Sequence, residues 1–277
     1  MSIASSLQSR TVYCEGKSGG LDAIFFTRLL TSSTPLGGFT IRVEPIGGKS
    51  GWGKFFDAYA QDTNYMAVRD RDLDKQPIFD TTENIQLQYE SRVYFLGLPS
   101  LESYFLKPSL LVDFLQENNR SSPSIDELEL KLQKIAQQLI PYYTVRWAFQ
   151  DLRNSGIHVP SLGDISSMNL DESACINAAH TKLDEFRQTA AVFVTKARQT
   201  IKVNEFNTIY QRYKAKFIAN TDFLFWFDGK DLLKRWFEGL GRGGLSSETY
   251  SEWAASKIEF KDHPDLLEFQ RICWYQK

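Results

Sequence analysis

The chain is poor in residues that hold soft metals: 277 residues contain three cysteines and three histidines. Cys14, Cys175 and Cys273 lie far apart, are odd in number and form no CxxC. That argues against a disulfide framework or a Cys-rich zinc site and fits a reducing cytoplasm. His158, His180 and His263 nowhere pair at metal-ligand spacing. An excess of one charge is also missing. With 32 basic against 34 acidic residues the formal charge is −2, so net charge makes no case for nucleic-acid binding and any basic surface must be local. No stretch approaches the roughly 20 apolar residues of a membrane span, and the opening MSIASSLQSR lacks the apolar core of a signal peptide. The expectation is a soluble cytoplasmic protein with no membrane contact.

What is present favours a packed fold. A hydrophobic fraction of 42%, with 14% aromatic residues, supplies a substantial core. In the first third, strand-like and helix-like segments alternate. Thr11–Cys14 is a short run of β-formers ending at Glu15-Gly16, and Leu21–Leu30 has helical character. Phe39–Val43 alternates with period two, Trp52–Tyr59 follows as a helix, and Tyr65–Val68 and Arg92–Leu96 complete four strands. This order predicts an α/β fold, a parallel sheet flanked by helices. From 119 to 220 the pattern turns helical. Ser124 precedes a helix opening at Ile125 and expected to stop at Pro141, and a long helical stretch runs from Glu172 to Asn220. Phe223–Phe227 is a continuous aromatic-rich run, expected as a strand buried on both faces. The predicted organisation is a core at 1–118, an α-helical insertion at 119–220, and a return to the core with its last strand at 221–277.

Ligand sites in parallel sheets form at the carboxyl ends of strands. Glu15 ends the first predicted strand, Asp70 and Asp72 the third, and Glu102 follows the fourth. In an extended segment residues i and i+2 face one side, so Asp70 and Asp72 would converge and would need a cation to ionise together. Mg²⁺ is a hard cation suited to such oxygens. Asp-x-Asp alone is most often solvated surface; the case lies in three acidic features in order, each at a strand end. Gly47-Gly48-Lys49-Ser50 is not a P-loop, because Val43 stands where the first glycine is required. Lys182 to Lys216 holds eight Lys/Arg against three acidic residues, with Phe206, Tyr210 and Tyr213 interleaved. Arg198, Lys202, Arg212, Lys214 and Lys216 are candidates to grip a nucleic-acid backbone. An ordinary solvated face and a partner interface are the alternatives.

Val12-Tyr13-Cys14-Glu15-Gly16 and Val68-Arg69-Asp70-Arg71-Asp72 resemble the signature of the Toprim fold, found in topoisomerases, primases and the overcoming-lysogenization-defect nucleases. Asp22, Gly47-Gly48-Lys49-Ser50, Glu102-Ser103-Tyr104-Phe105-Leu106 and Gly229-Lys230 extend the likeness to small Toprim proteins of bacterial defence loci, among them the Toprim effectors of the PARIS antiphage system. The resemblance covers about residues 10–115 and 221–240. It implies a nuclease using Mg²⁺, or Mn²⁺, with Glu15 as acid/base or metal ligand and Asp70 and Asp72 as ligands. Glu102 would complete a second metal site, and Lys230 would neutralise the scissile phosphate. It also implies tRNA as substrate, an ABC-type ATPase partner that restrains the effector, and a homodimer when active. Gly19-Gly20 lengthens the Glu15–Asp22 segment and puts Asp22 in doubt. The alternatives are a catalytically weak subunit docking the ATPase, a DNA nickase of the same fold, and primase-like nucleotidyl transfer.

Overall fold

The computed structural model describes residues 9–32, 40–58, 65–72, 88–90, 93–155, 159, 162, 169–193, 203–219, 222–238 and 245–275. It is α/β. Strands β1 (Ser9–Cys14), β2 (Thr40–Pro45), β3 (Met66–Arg69) and β5 (Val93–Phe95) run parallel. A short β4 (Gln88–Glu90) pairs antiparallel with β5 at the edge, and the sheet order is β2-β1-β3-β5-β4.

Period-two alternation decides which side chains meet which layer. Val12, Cys14, Val68 and Tyr94 enter the main core, where Phe25, Phe26, Leu29 and Leu30 of α1 (Leu21–Thr31) cover them. Ala67, Val93 and Phe95 point the other way and are covered by Trp52 and Phe55 of α2 (Lys49–Ala58). Both faces of the sheet are thus buried, as expected of parallel strands.

The helical middle does not stop at Pro141. After α3 (Pro108–Glu117), helix α4 runs unbroken over Ile125–Asn154, opened by a capping box in which Ser124 and Glu127 satisfy each other's backbone N–H. Proline inside a helix costs about 3 kcal/mol. Here the flanking Leu139, Tyr142, Tyr143, Val145 and Trp147 are all buried in the main core, and that burial outweighs it. The stretch from Glu172 consists of α5 (Glu172–Phe193) and α6 (Val203–Ile218).

The strand expected at 223–227 does not form. Phe223–Trp226 forms one helical turn, α7, capped by Asp222 Oδ1, which accepts the Leu224 N–H at 3.1 Å. Phe225, Trp226 and Phe227 are buried as the apolar run predicts, but among α4 and α6 side chains and not within the sheet. Trp147 Nε1 donates to the Trp226 carbonyl at 3.0 Å, and Tyr143 stacks on Phe227 with ring centroids 4.2 Å apart. Continuous apolar runs suit a buried strand and a buried helical turn equally. Helices α8 (Gly229–Glu238), α9 (Ser247–Lys257) and α10 (Pro264–Tyr275) follow. Arg10 donates to the Cys273 carbonyl, Arg28 to the Ala255 carbonyl and Trp274 to the Leu30 carbonyl, which ties α9 and α10 to the first β–α unit.

One contact between α8 and the 3₁₀ turn Leu101–Phe105 admits only glycine. A Cβ built on Gly229 would lie 2.2 Å from the Ser103 backbone nitrogen. Replacing a helical glycine by alanine ordinarily stabilises by up to about 1 kcal/mol. Gly229→Ala is expected to do the opposite, destabilising by about 1–3 kcal/mol through overpacking. Urea denaturation measures it, and a rise in the midpoint would contradict the close approach.

Candidate functional site

The carboxyl ends of β1 and β3 converge with the 3₁₀ turn after β5 and the start of α8. The first corner is pinned by glycine. Gly16 and Gly47, both with φ near +90°, exchange backbone hydrogen bonds of 2.9 Å in each direction. Gly47-Gly48 therefore holds the Glu15-Gly16 turn in place. Glu15 Oε1 accepts from Trp52 Nε1 at 2.8 Å and lies 3.3 Å from Arg69 Nε.

Asp-Arg-Asp after β3 divides its labour. Asp70 is almost fully buried; its Oδ1 accepts the Leu101 N–H at 2.9 Å and its Oδ2 meets Lys230 Nζ at 3.1 Å. Arg71 between them is wholly buried, donating to the Gly97 and Phe225 carbonyls. Burial lowers its pKa to about 10, so it stays charged at neutral pH. Asp72 is left-handed at φ 49°, with its N–H on the Pro99 carbonyl at 2.6 Å and its Oδ2 3.7 Å from Arg69. The extended geometry expected of Asp70 and Asp72 is corrected here. The strand has ended at Arg69, and the left-handed residue turns the second carboxylate toward Arg69 while the first faces Lys230.

Lys230 is carried in by the C-terminal part of the chain. The Gly229 N–H donates to Ser100 Oγ at 3.1 Å, and the Lys230 N–H to Asp228 Oδ1 at 2.9 Å. The Asp228 N–H in turn donates to the Tyr143 hydroxyl at 2.8 Å. That hydroxyl donates to Asp231 Oδ2 at 2.6 Å, and Arg146 joins the same oxygen at 3.0 Å. The helical middle therefore fixes the start of α8, and α8 fixes Lys230. Beside Asp70, Lys230 Nζ also lies 3.8 Å from Glu102 Oε2. A cleft of about 660 Å³, lined by Glu102, Lys230, Asp228, Arg146 and Leu162 among others, opens this side of the site.

The carboxyls here hold protons more tightly than usual. Burial raises Glu102 to about 7 against the pull of Lys230, with Asp228 and Asp22 adding to the rise. Burial likewise raises Asp22 to about 6. Burial pushes Asp70 well up, Lys230 pulls it back, and Glu102, Asp22 and Asp72 push it up again. Burial works against the charge on Lys230, but Asp70, Glu102 and Asp228 outweigh it and raise its pKa.

The structure thus groups Asp70, Glu102 and Lys230 directly, with Glu15 and Asp72 linked through Arg69. Asp22, doubted on spacing, sits in the cluster. A Cβ on Gly16 would come 2.9 Å from Asp22 Oδ2, and Lys230 and Glu15 both act on its charge. The Glu-Gly signal that placed Glu15 also makes room for Asp22. Trp52 and Arg69 were not singled out from sequence, and nothing in the local pattern marks them.

Of the basic helical set, Arg198 and Lys202 lie outside the described residues. Arg212 pairs with Asp151, Lys214 Nζ lies 2.6 Å from Glu172, and Lys216 Nζ sits 3.9 Å from the Trp226 ring centroid. The interleaved Phe206, Tyr210 and Tyr213 are buried. These aromatics are core and not stacking platforms, and the three cations join α6 to its neighbours.

Carboxylates are the oxygen donors that Mg²⁺ prefers. Their arrangement does not fit the ion, however. Among the described residues no group of three or more His, Cys, Asp and Glu side chains is placed to hold a metal, and an ammonium stands between Asp70 and Glu102. No family model matches the chain, and no curated protein matches it.

Glu102 gives the site a pH signature. The folded protein takes up its proton near pH 7, whereas an ordinary glutamate does so near 4.5. Its charge therefore destabilises the fold fully above pH 7, and the penalty is relieved as pH falls from 7 toward 4.5. Glu102→Gln is expected to raise stability at pH 8 by at most about 3 kcal/mol and to have little effect at pH 4.5. Thermal denaturation across pH checks this; an effect growing toward acid would contradict it.

Proposed function

We propose that this chain is a Toprim-type phosphodiester hydrolase acting on nucleic acid. The observation that carries the reading is the meeting of Asp70, Glu102 and Lys230 at adjoining strand ends, with Glu15, Asp22 and Asp72 around them. A parallel sheet with acidic strand ends supports the fold assignment. The likeness of Glu15-Gly16, Asp70-Arg71-Asp72 and Gly229-Lys230 to the Toprim signature supports the family.

The chain's own groups suit a phosphoryl centre. Lys230 is half-exposed at its cleft and offers a compact positive charge to a phosphate or a departing oxygen. Glu102, poised near pH 7, can take or give a proton at neutral pH, the range in which acid–base catalysis is efficient. Glu15 is held rigidly by Trp52 and Arg69, which suits orientation. The carboxylate oxygens would attract Mg²⁺ or Mn²⁺, but the arrangement around Lys230 must change to receive the ion.

The further details rest on the family likeness: tRNA as substrate, a role as the toxic effector of antiphage defence in the cytoplasm, restraint by an ABC-type ATPase, and a homodimeric active form. One observation favours a second reading, a catalytically weak subunit that docks the ATPase: Lys230 already neutralises Asp70 within the protein.

Purified protein incubated with tRNA, total RNA and plasmid DNA, with and without Mg²⁺ or Mn²⁺, separates the two readings. Cleavage of tRNA is expected, falling at least about 100-fold in Asp70→Asn and in Lys230→Met. Intact substrates under every condition, or full cleavage by Asp70→Asn, would overturn the hydrolase reading.

A further inference from the structure

We propose that Lys230 is a tethered cation that occupies the cation position of the acidic site and competes with a divalent ion for it. The inference rests on reading the strand-end cluster as a phosphodiester-hydrolysing centre. Its test is one of binding, so that the two ideas fail separately.

The geometry is that of mutual exclusion. Lys230 Nζ lies 3.1 Å from Asp70 Oδ2 and 3.8 Å from Glu102 Oε2. A Mg²⁺ ion binds carboxylate oxygen at about 2.0–2.1 Å. An ion on either oxygen would sit within a few ångströms of the ammonium, and at such range two cations repel strongly in a partly buried site. Glu102 Oε2 is sealed from solvent and makes no hydrogen bond; the ammonium is the positive charge it faces. That oxygen is a ligand atom in waiting.

The surroundings of Lys230 leave a route for the plug to withdraw. The backbone at the start of α8 is fixed through Gly229 on Ser100 and through Asp228 on Tyr143. The side chain is held by its ion pairs with Asp70 and Glu102. It is 52% exposed, whereas Asp70 is 4% exposed, and the cleft beside it has room for an extended lysine stem. Rotation of the side chain alone would vacate the oxygens without moving the helix. An arriving phosphate would draw the ammonium outward by charge. Substrate entry and opening of the cation position would then be one motion. The free protein would hold divalent ions weakly.

Mn²⁺ titration by calorimetry and by electron paramagnetic resonance, at neutral pH and low salt, tests this on wild type, Lys230→Gln and Lys230→Gln/Asp70→Asn. Lys230→Gln is expected to bind Mn²⁺ at least about tenfold tighter than wild type, and the added Asp70→Asn to cancel the gain. Equal or weaker binding by folded Lys230→Gln overturns the proposal. Circular dichroism reports whether that variant folds. If it does not, wild-type protein carrying ¹³Cε-labelled lysine decides: the Lys230 resonance must shift progressively as excess Mg²⁺ is added, and an unmoved resonance, or tight saturating binding that leaves Lys230 in place, overturns the proposal. Absence of cleavage together with tighter binding by Lys230→Gln would sink the hydrolase reading and leave the plug standing. Cleavage with unchanged Mn²⁺ affinity would do the reverse.

Discussion

A carboxylate sealed from water at the end of a strand cannot carry charge without partners, and Asp70 is such a group. Desolvation and the neighbouring acids both oppose its ionisation. The Leu101 N–H and the Lys230 ammonium are what favour it. The first comes from the turn after β5 and the second from α8, more than 150 residues along the chain. Satisfying one buried oxygen pair therefore requires the N-terminal sheet and the C-terminal helices to dock in one arrangement. The requirement runs both ways, since Lys230 keeps its own charge in a partly buried place through the same acids.

Much of the surrounding structure serves that docking. Arg71, adjacent to Asp70, is wholly buried and donates to the Phe225 carbonyl just before α8 begins. Gly229 brings α8 against the 3₁₀ turn where a side chain would collide. Tyr143 of α4 holds the Asp228 N–H and stacks on Phe227. Buried Asp265 of α10 accepts from the Gly97 N–H and the Tyr104 hydroxyl, fixing the loop that supplies Leu101. The helical middle is thus more than a surface addition. It shares one hydrophobic core with the sheet and sets the position of the lysine.

The parts of this that are local were legible in the sequence. Alternating β-formers before Glu15-Gly16 and Asp70 located β1 and β3, and Ser124 before Ile125-Asp126-Glu127 marked the start of α4 by its capping chemistry. What depended on tertiary packing was not legible. Pro141 stops a helix by local rules but lies in one held by buried aliphatic side chains before it and buried aromatics after it. Phe223–Phe227 has the composition of an interior strand, yet its surroundings are helices, so it coils. The Asp70–Asp72 spacing suggested two converging carboxylates. The left-handed turn at Asp72, which cannot be inferred from an Asp-Arg-Asp string, separated their directions. Lys230 was found through the Gly-Lys pair, but its position against Asp70 and Glu102 spans 160 and 128 residues of chain and belongs to the fold alone.

The central claim is that Asp70 and Lys230 are one unit. A double-mutant cycle measures this directly: urea unfolding of wild type, Asp70→Asn, Lys230→Met and the double variant at neutral pH. Contacting charged groups couple by about 0.5–3 kcal/mol, and for this buried carboxylate a value in the upper half of that range is expected, with the double variant much less unstable than the sum of the singles. Additive effects, within about 0.5 kcal/mol, would show that the pair does not hold the sheet and α8 together, and would contradict the account.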